Sequence, residues 1–172
     1  MNASPASTDS SVPPVCVDPD LYWIVARGLL VNEAGAVLLV RQRLRAAGDD
    51  RWCRLPGGRV EDELPADAVA RHVRTQTGLP LDPRAARLRA VDWTPAAGST
   101  AAGATFIYAF TAAIPAAFTV VLADSLDHAV WASATDLDRL CAPSHASQVK
   151  AALAAVRDNT CINLRADGPI AP

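Results

Sequence analysis

An α+β domain, with a mixed sheet sandwiched by helices, is what the order of hydrophobic patterns predicts. Two β-rich runs, "LYWIVARGLLV" and "AVLLVRQRL", flank the turn Asn32-Glu33-Ala34-Gly35. One short amphipathic stretch, Pro65 to Gln76, follows a polar loop. Further strands come next and an amphipathic helix near the C-terminus closes the series, without the regular βα alternation of a doubly wound sheet.

Each element has a local reason. Gly35 suits a positive φ, so the first two runs read as a hairpin. "AAGDDRW" (46–52) is a polar loop. In the first helix Val69, Val73 and Thr77 recur every four residues and should face the core. Pro65 fits the first helical position, Asp67 the first turn, and Gly78 the end. Leu64 stands where Ser or Thr would normally cap, which leaves Asp62 as the candidate partner for the free amides. "RAARLRAVDW" (84–93) and "ATFIYAFTA" (104–112) read as strands, and residues 118–133 as one or two more around an acidic break. "TDLDRL" is a helical turn. "PSHASQVKAALAAVRDN" is the last helix, with Ser144 as cap and Val149, Leu153 and Val156 as its buried stripe.

Whole-chain properties narrow the class. At 172 residues, 51% hydrophobic and 20% charged, the chain is one domain able to bury a core. Residues 21–168 form it, between an N-terminal tail (1–20, rich in Ser, Pro and Thr) and a short C-terminal one (169–172). A net charge of −2 argues against nucleic acid as partner. No apolar run approaches membrane length, and no basic-then-apolar leader precedes the domain. Cys16, Cys53, Cys141 and Cys161 are scattered, without metal or disulfide spacing, so they read as reduced thiols of a cytoplasmic protein. Exposed strand edges make a homodimer an expected assembly.

The stretch "LPGGRVEDELPADAVARHVRTQTGL" (55–79) carries the chemistry. With the preceding hairpin and the later "AVWASATDLDRL", it resembles the Nudix hydrolases, whose signature is G-x5-E-x7-R-E-U-x-E-E-x-G-U with U a bulky aliphatic residue. Gly57, Glu63, Arg71, Val73, Gly78 and Leu79 stand in register, beside Gly58. The resemblance spans roughly residues 21–168. It implies a Nudix-type α/β/α sandwich, and an acid at Glu63 paired with Arg71.

The resemblance also implies glutamates where this chain has His72, Thr75 and Gln76. Those positions share one helix face, where three carboxylates would converge on Mg²⁺ held against a diphosphate. A ring nitrogen, a hydroxyl and a neutral amide are poor substitutes for a hard ion. Magnesium-dependent hydrolysis is therefore expected to be lost, and no cofactor is expected unless Glu61, Asp62 and Glu63 rebuild a magnesium site. His72, with a pKa near neutrality, is the candidate general base or acid, and Glu61 and Glu63 are its candidate partners. A drifted helix residue bonded to solvent is the plainer reading of His72. Arg27, Arg54, Arg59 and Arg71 are candidates to grip an anion, and Trp52 to stack on a planar group. Three functions stay open: metal-independent catalysis on a small molecule, a non-catalytic ligand-binding or regulatory module, and a divergent hydrolase of nucleoside-diphosphate-linked substrates. In each the partner is a small molecule, phosphorylated compounds included.

Overall fold

The computed structural model describes residues 22–43, 52–97, 101–110, 114–115, 118–165 and 168–169. Strands β1 (Tyr22–Leu29), β2 (Val37–Gln42) and β3 (Gly57–Arg59) precede helix α1 (Pro65–Thr77). After a 3₁₀ turn at Pro83–Ala85 come β4 (Ala86–Thr94), β5 (Ala102–Phe110), β6 (Leu126–Ala132), the single turn α2 (Leu137–Leu140), α3 (Pro143–Arg157), β7 (Ile162–Arg165) and β8 (Gly168–Pro169). The expected N-terminal tail, 1–20, residues 46–51 of the expected loop 46–52, and all of the expected tail 169–172 except Pro169, which ends β8, lie outside the described residues.

Six strands make one mixed sheet in the order β3-β1-β5-β4-β7-β8. β1 runs parallel to β5 and β4 parallel to β7, while the other neighbours are antiparallel. The α+β sandwich is thus observed, with α1 on one face and α3 on the other. β1 feeds both layers because its side chains alternate. Ala26 and Leu30 join Ala68, Val69 and Val73 beneath α1. Leu29 joins Ile107, Ala146, Val149 and Ala152 beneath α3.

The expected hairpin is present only at its turn. Gly35 has φ 76°, and the Asn32 side chain accepts from the amides of Ala34 and Ala36 at 3.1 and 2.9 Å. Past the Val31–Val37 bridge the strands part: β1 stays in the large sheet and β2 pairs with β6 instead. Both edges of β1 are taken, by β3 and β5, so β2 finds its partner in β6 while burying Val37 and Leu39 in the α3 layer and Leu38 in the α1 layer.

α1 matches its pattern. Val69, Val73 and Thr77 are buried, and Gly78 ends the helix at φ 73° with its amide on the Arg74 carbonyl, 2.9 Å. Leu64 occupies the capping position with no side-chain cap, and Asp62 is exposed. Residues 118–123 are not the strand expected of them. They wrap the C-terminal end of α1, where the amides of Val121 and Ala123 donate to the carbonyls of Thr77 and Gln76 at 3.0 and 3.2 Å. Those carbonyls have no partner within the helix, so an irregular segment that satisfies them replaces a sheet edge.

α3 also departs from expectation. Pro143 opens it, Ala142 holds the capping position without a side-chain bond, and Ser144 is an exposed first-turn residue. Its buried stripe is Ala146, Val149, Ala152 and Ala155, while Leu153 is half-buried and Val156 exposed. Alanines bring the helix axis close to the sheet, and the larger residues are left to line its flanks. No helix among the described residues is long and apolar enough to cross a membrane.

Candidate functional site

The loop from Gly57 to Glu63 and the outer face of α1 lie against each other, fastened by side chains. Gly57 pairs with Arg27 across β1 and β3 at φ 146°, a backbone closed to other residues. A Cβ there would overlap the carbonyl oxygen of Ala26 and stand 2.7 Å from the Arg27 Cα. Closeness of β3 to β1 therefore depends on this glycine.

Gln76 holds the same residue from the other side. Its Oε1 accepts from the Gly57 amide at 2.9 Å and its Nε2 donates to the Gly57 carbonyl at 3.0 Å. The pair reproduces, with a side chain, the double hydrogen bond of an antiparallel bridge. His72 donates from Nε2 to the Arg59 carbonyl at 2.9 Å, with its ring against Gly58. The carbonyl can only accept, which assigns the proton to Nε2. Thr75 turns back on its own helix, Oγ1 to the Arg71 carbonyl at 2.9 Å.

Arg71 makes the remaining clasp. Its Nε donates to both Glu63 oxygens at 3.1 Å, and its Nη2 to Glu63 Oε1. Glu61 lies farther off, 3.9 Å from the Arg71 guanidinium. The guanidinium, through its hydrogen bonds above all, holds the Glu63 carboxyl below the usual carboxylate range. In the unfolded chain Glu63 titrates normally, so the folded state binds fewer protons there. The stabilisation is present above the ordinary glutamate pKa and lost as pH falls through the depressed folded value. Glu63→Gln should therefore lower the melting temperature slightly at neutral pH, and the deficit should shrink as acid protonates the native carboxylate. Thermal melts of both proteins across that range check it; a deficit that persists in acid would mean the pair is not its source.

These contacts decide what the site could hold. Magnesium takes several oxygen ligands in near-octahedral geometry. Here the side-chain donors at 72, 75 and 76 are committed to backbone groups, and Glu63 to Arg71. No three His, Cys, Asp or Glu side chains among the described residues gather as a metal site. The residues present do not fit the ion.

A second feature lies on the other face of the sheet. A cavity of about 290 Å³ is walled by Arg27 of β1, Asp92 of β4, Thr105 of β5, and Ser144, His145 and Gln148 of α3. Of the arginines and the tryptophan singled out for ligand contact, Arg27 lines this space. Trp52, Arg54, Arg59 and Arg71 do not. Arg54 is half-buried and bridges to Val40 through its backbone, Arg59 is exposed and contributes its carbonyl, and Trp52 is half-buried before Cys53. His145 is half-buried and forms part of the wall. Sequence reasoning did not single out Asp92 or Gln148, which meet at 2.5 Å from Gln148 Nε2 to Asp92 Oδ2. A signal existed: Asp92 has the inward parity of the buried Ala90, an acid in an interior slot.

Cys53 and Cys141 are free thiols in the layer beneath α3. Burial raises both, Cys141 to about 11, which makes them inert packing groups.

Comparison with known proteins extends the agreement beyond the loop and helix. A family model described as the NUDIX domain matches residues 21–153. No curated protein matches the chain. Among solved structures, a MutT protein from Methanosarcina mazei Go1 is 22% identical at a TM-score of 0.57, covering 80% of this chain and 95% of its own. An Ap4A hydrolase of C. elegans is 12% identical at 0.61, covering 79% and 98%. An ADP-ribose pyrophosphatase from Streptococcus suis 89-1591 is 19% identical at 0.58, covering 83% and 97%. At such identities the structural likeness speaks for the fold alone. With 133 of 172 residues inside the family model, and strand, loop and helix placed as its motif requires, the chain belongs to the Nudix family.

Proposed function

We propose that this domain is a small-molecule binding module in which the Nudix box no longer performs magnesium-dependent hydrolysis. One observation carries the reading: both arms of the Gln76 amide are spent on the backbone of Gly57. A metal-binding face must present unsatisfied oxygens to solvent and substrate; this one satisfies its own loop instead. The helix has become a clasp.

Metal-independent catalysis through His72 has less support. Its Nε2 proton already serves the Arg59 carbonyl, Glu63 serves Arg71, and Glu61 stands exposed on the loop. A general base needs a free lone pair within reach of a substrate proton, and the one His72 keeps, on Nδ1, lies away from the cavity walled by Arg27. The cavity beside Arg27 offers enclosed space and mixed polar groups, the usual makings of a ligand site.

Calorimetric titration with Mg²⁺ and Mn²⁺, coupled to product analysis on ADP-ribose and a diadenosine polyphosphate, tests the reading. The expected outcome is no micromolar metal binding and no metal-stimulated phosphoanhydride cleavage. Turnover that rises with saturable magnesium would refute it.

A further inference from the structure

α1 covers its face of the sheet incompletely. Ala26 is buried with Ala68, Val69 and Val73, but nearer the start of β1 the same face carries Tyr22 and Ile24, both exposed. The strand register sets Ala104 of β5 between Ile24 and Trp93 of β4. Tyr22 and Trp93 meet across β5, ring centroids 6.2 Å apart and planes 32° to one another. Half-buried Phe106, between Ala26 and Val91 in the register, extends the surface toward α1. Leu64, Val121 and Val156 are also exposed, but each sits singly on another part of the fold. Tyr22, Ile24 and Trp93, at 39, 42 and 38% exposure, cluster instead. Single exposed apolar residues are ordinary, whereas a contiguous aromatic patch implies a cover.

The chain itself leads away from this patch, because Tyr22 is both the first residue of β1 and a member of the cluster. The sequence just before it has the composition of a cover. Val12-Pro13-Pro14-Val15-Cys16-Val17 carries no charge or hydrogen-bonding side chain beyond one thiol, in contrast to the polar "MNASPASTDSS" of residues 1–11. Asp18-Pro19-Asp20-Leu21 follows, with Asp first and Pro second, the residues that favour a type I turn. Proline-rich segments are biased toward an extended form, lose little freedom on ordering, and dock on aromatic surfaces. Six such residues at ~3.1 Å each span ~19 Å. The patch is roughly 10 Å wide from β1 to β4 and about 13 Å long from residue 22 to residue 26, so the lengths agree.

We propose that residues 12–17 turn back through residues 18–21 and dock on the Tyr22, Ile24 and Trp93 patch of their own domain, beside α1. Charge-free side chains meet a charge-free surface, and the tether of four residues holds them there at millimolar effective concentration. A second copy or a separate peptide lacks that advantage. The docked segment lies on the opposite face of the sheet from the cavity walled by Arg27, so it forms irrespective of the chemistry of the box.

Thiol labelling of the full chain with a maleimide tests this. Cys16→Ser and Cys161→Ser remove the two thiols outside the core, leaving the buried Cys53 and Cys141. Val15→Cys in that background, a conservative apolar exchange, is expected to label about tenfold or more slowly than Ser7→Cys in the same background, as a contact that must open before reacting does. Adding Trp93→Ser, at an exposed position the fold tolerates, should raise the Val15→Cys rate to that of Ser7→Cys while circular dichroism stays native. Light scattering is expected to give a monomer, with protection unchanged on dilution. Equal rates at positions 15 and 7 overturn the proposal, as does slow labelling that Trp93→Ser leaves slow. Protection that disappears on dilution also overturns it, since a second copy would then be the cover.

Discussion

Gly57→Ala is expected to cost more than about 4 kcal/mol and to leave little folded protein at ambient temperature. Two penalties coincide at this position. The added Cβ overlaps the Ala26 carbonyl oxygen and comes within 2.7 Å of the Arg27 Cα, both backbone groups that no rotamer change can remove. The backbone φ of 146° is also one that alanine strongly disfavours. Relief requires β3 to leave β1, which also pulls Gly57 away from both arms of Gln76. Gly58→Ala is the matched control. Its Cβ would meet the His72 ring at 2.5 to 2.9 Å, and that side chain can swing aside at the cost of its bond to Arg59, about 1 kcal/mol. Urea unfolding of both variants reads the difference. If Gly57→Ala lies within about 1 kcal/mol of the native protein, the close approach of β3 is not what organises the loop.

Gln76→Glu should be the most damaging single step back toward the family motif, at about 2–3 kcal/mol. The carboxylate still accepts from the Gly57 amide, but it cannot donate to the Gly57 carbonyl, so two acceptors face each other in a half-buried contact. Protonation restores the donor. The introduced carboxyl is thus expected to titrate above its unfolded value. Its penalty is present at neutral pH and relieved as pH falls through the folded pKa. Unfolding measured at neutral pH and near about pH 4 checks the sign. A variant as stable as the native protein at neutral pH would show the Gln76 clasp to be energetically idle. Combining His72→Glu, Thr75→Glu and Gln76→Glu asks whether the scaffold can still seat magnesium; metal-dependent recovery of stability in the triple variant is the expected sign of a local loss.

Much of α1 was legible because its determinants are adjacent in sequence. Period-four apolar residues, Pro65 at the start and Gly78 at the end give the same answer in isolation and in the folded protein. The Glu63–Arg71 pair was legible through the motif register, and geometry confirms it. The hairpin was half legible. Asn32 and Gly35 specify the turn, but alternation in β2 does not say whether β1 or β6 is its partner. On α3 the larger apolar side chains point to a stripe of Val149, Leu153 and Val156, of which Val149 alone is buried, since the face against the sheet is otherwise alanine.

The lining of the cavity beside Arg27 was legible only in part. Arg27 stood out as a cation in an apolar run, whereas Asp92, Gln148 and His145 looked unremarkable one at a time. They come to line one cavity because β4 and α3, some 56 residues apart at the Asp92–Gln148 contact, close over the same stretch of β1.

By itself the chain's residue order determined the α+β class and the box helix with its ends, and put His72, Thr75 and Gln76 where the resemblance implies acids. Tertiary structure alone decided what His72 and Gln76 do, by placing the backbone of Arg59 and Gly57 within reach of their side chains. The physical reason is reach. Periodicity and capping act over a few residues, while a hydrogen bond between a helix side chain and a loop carbonyl, or a cavity between two layers, exists only once distant segments have been brought into register.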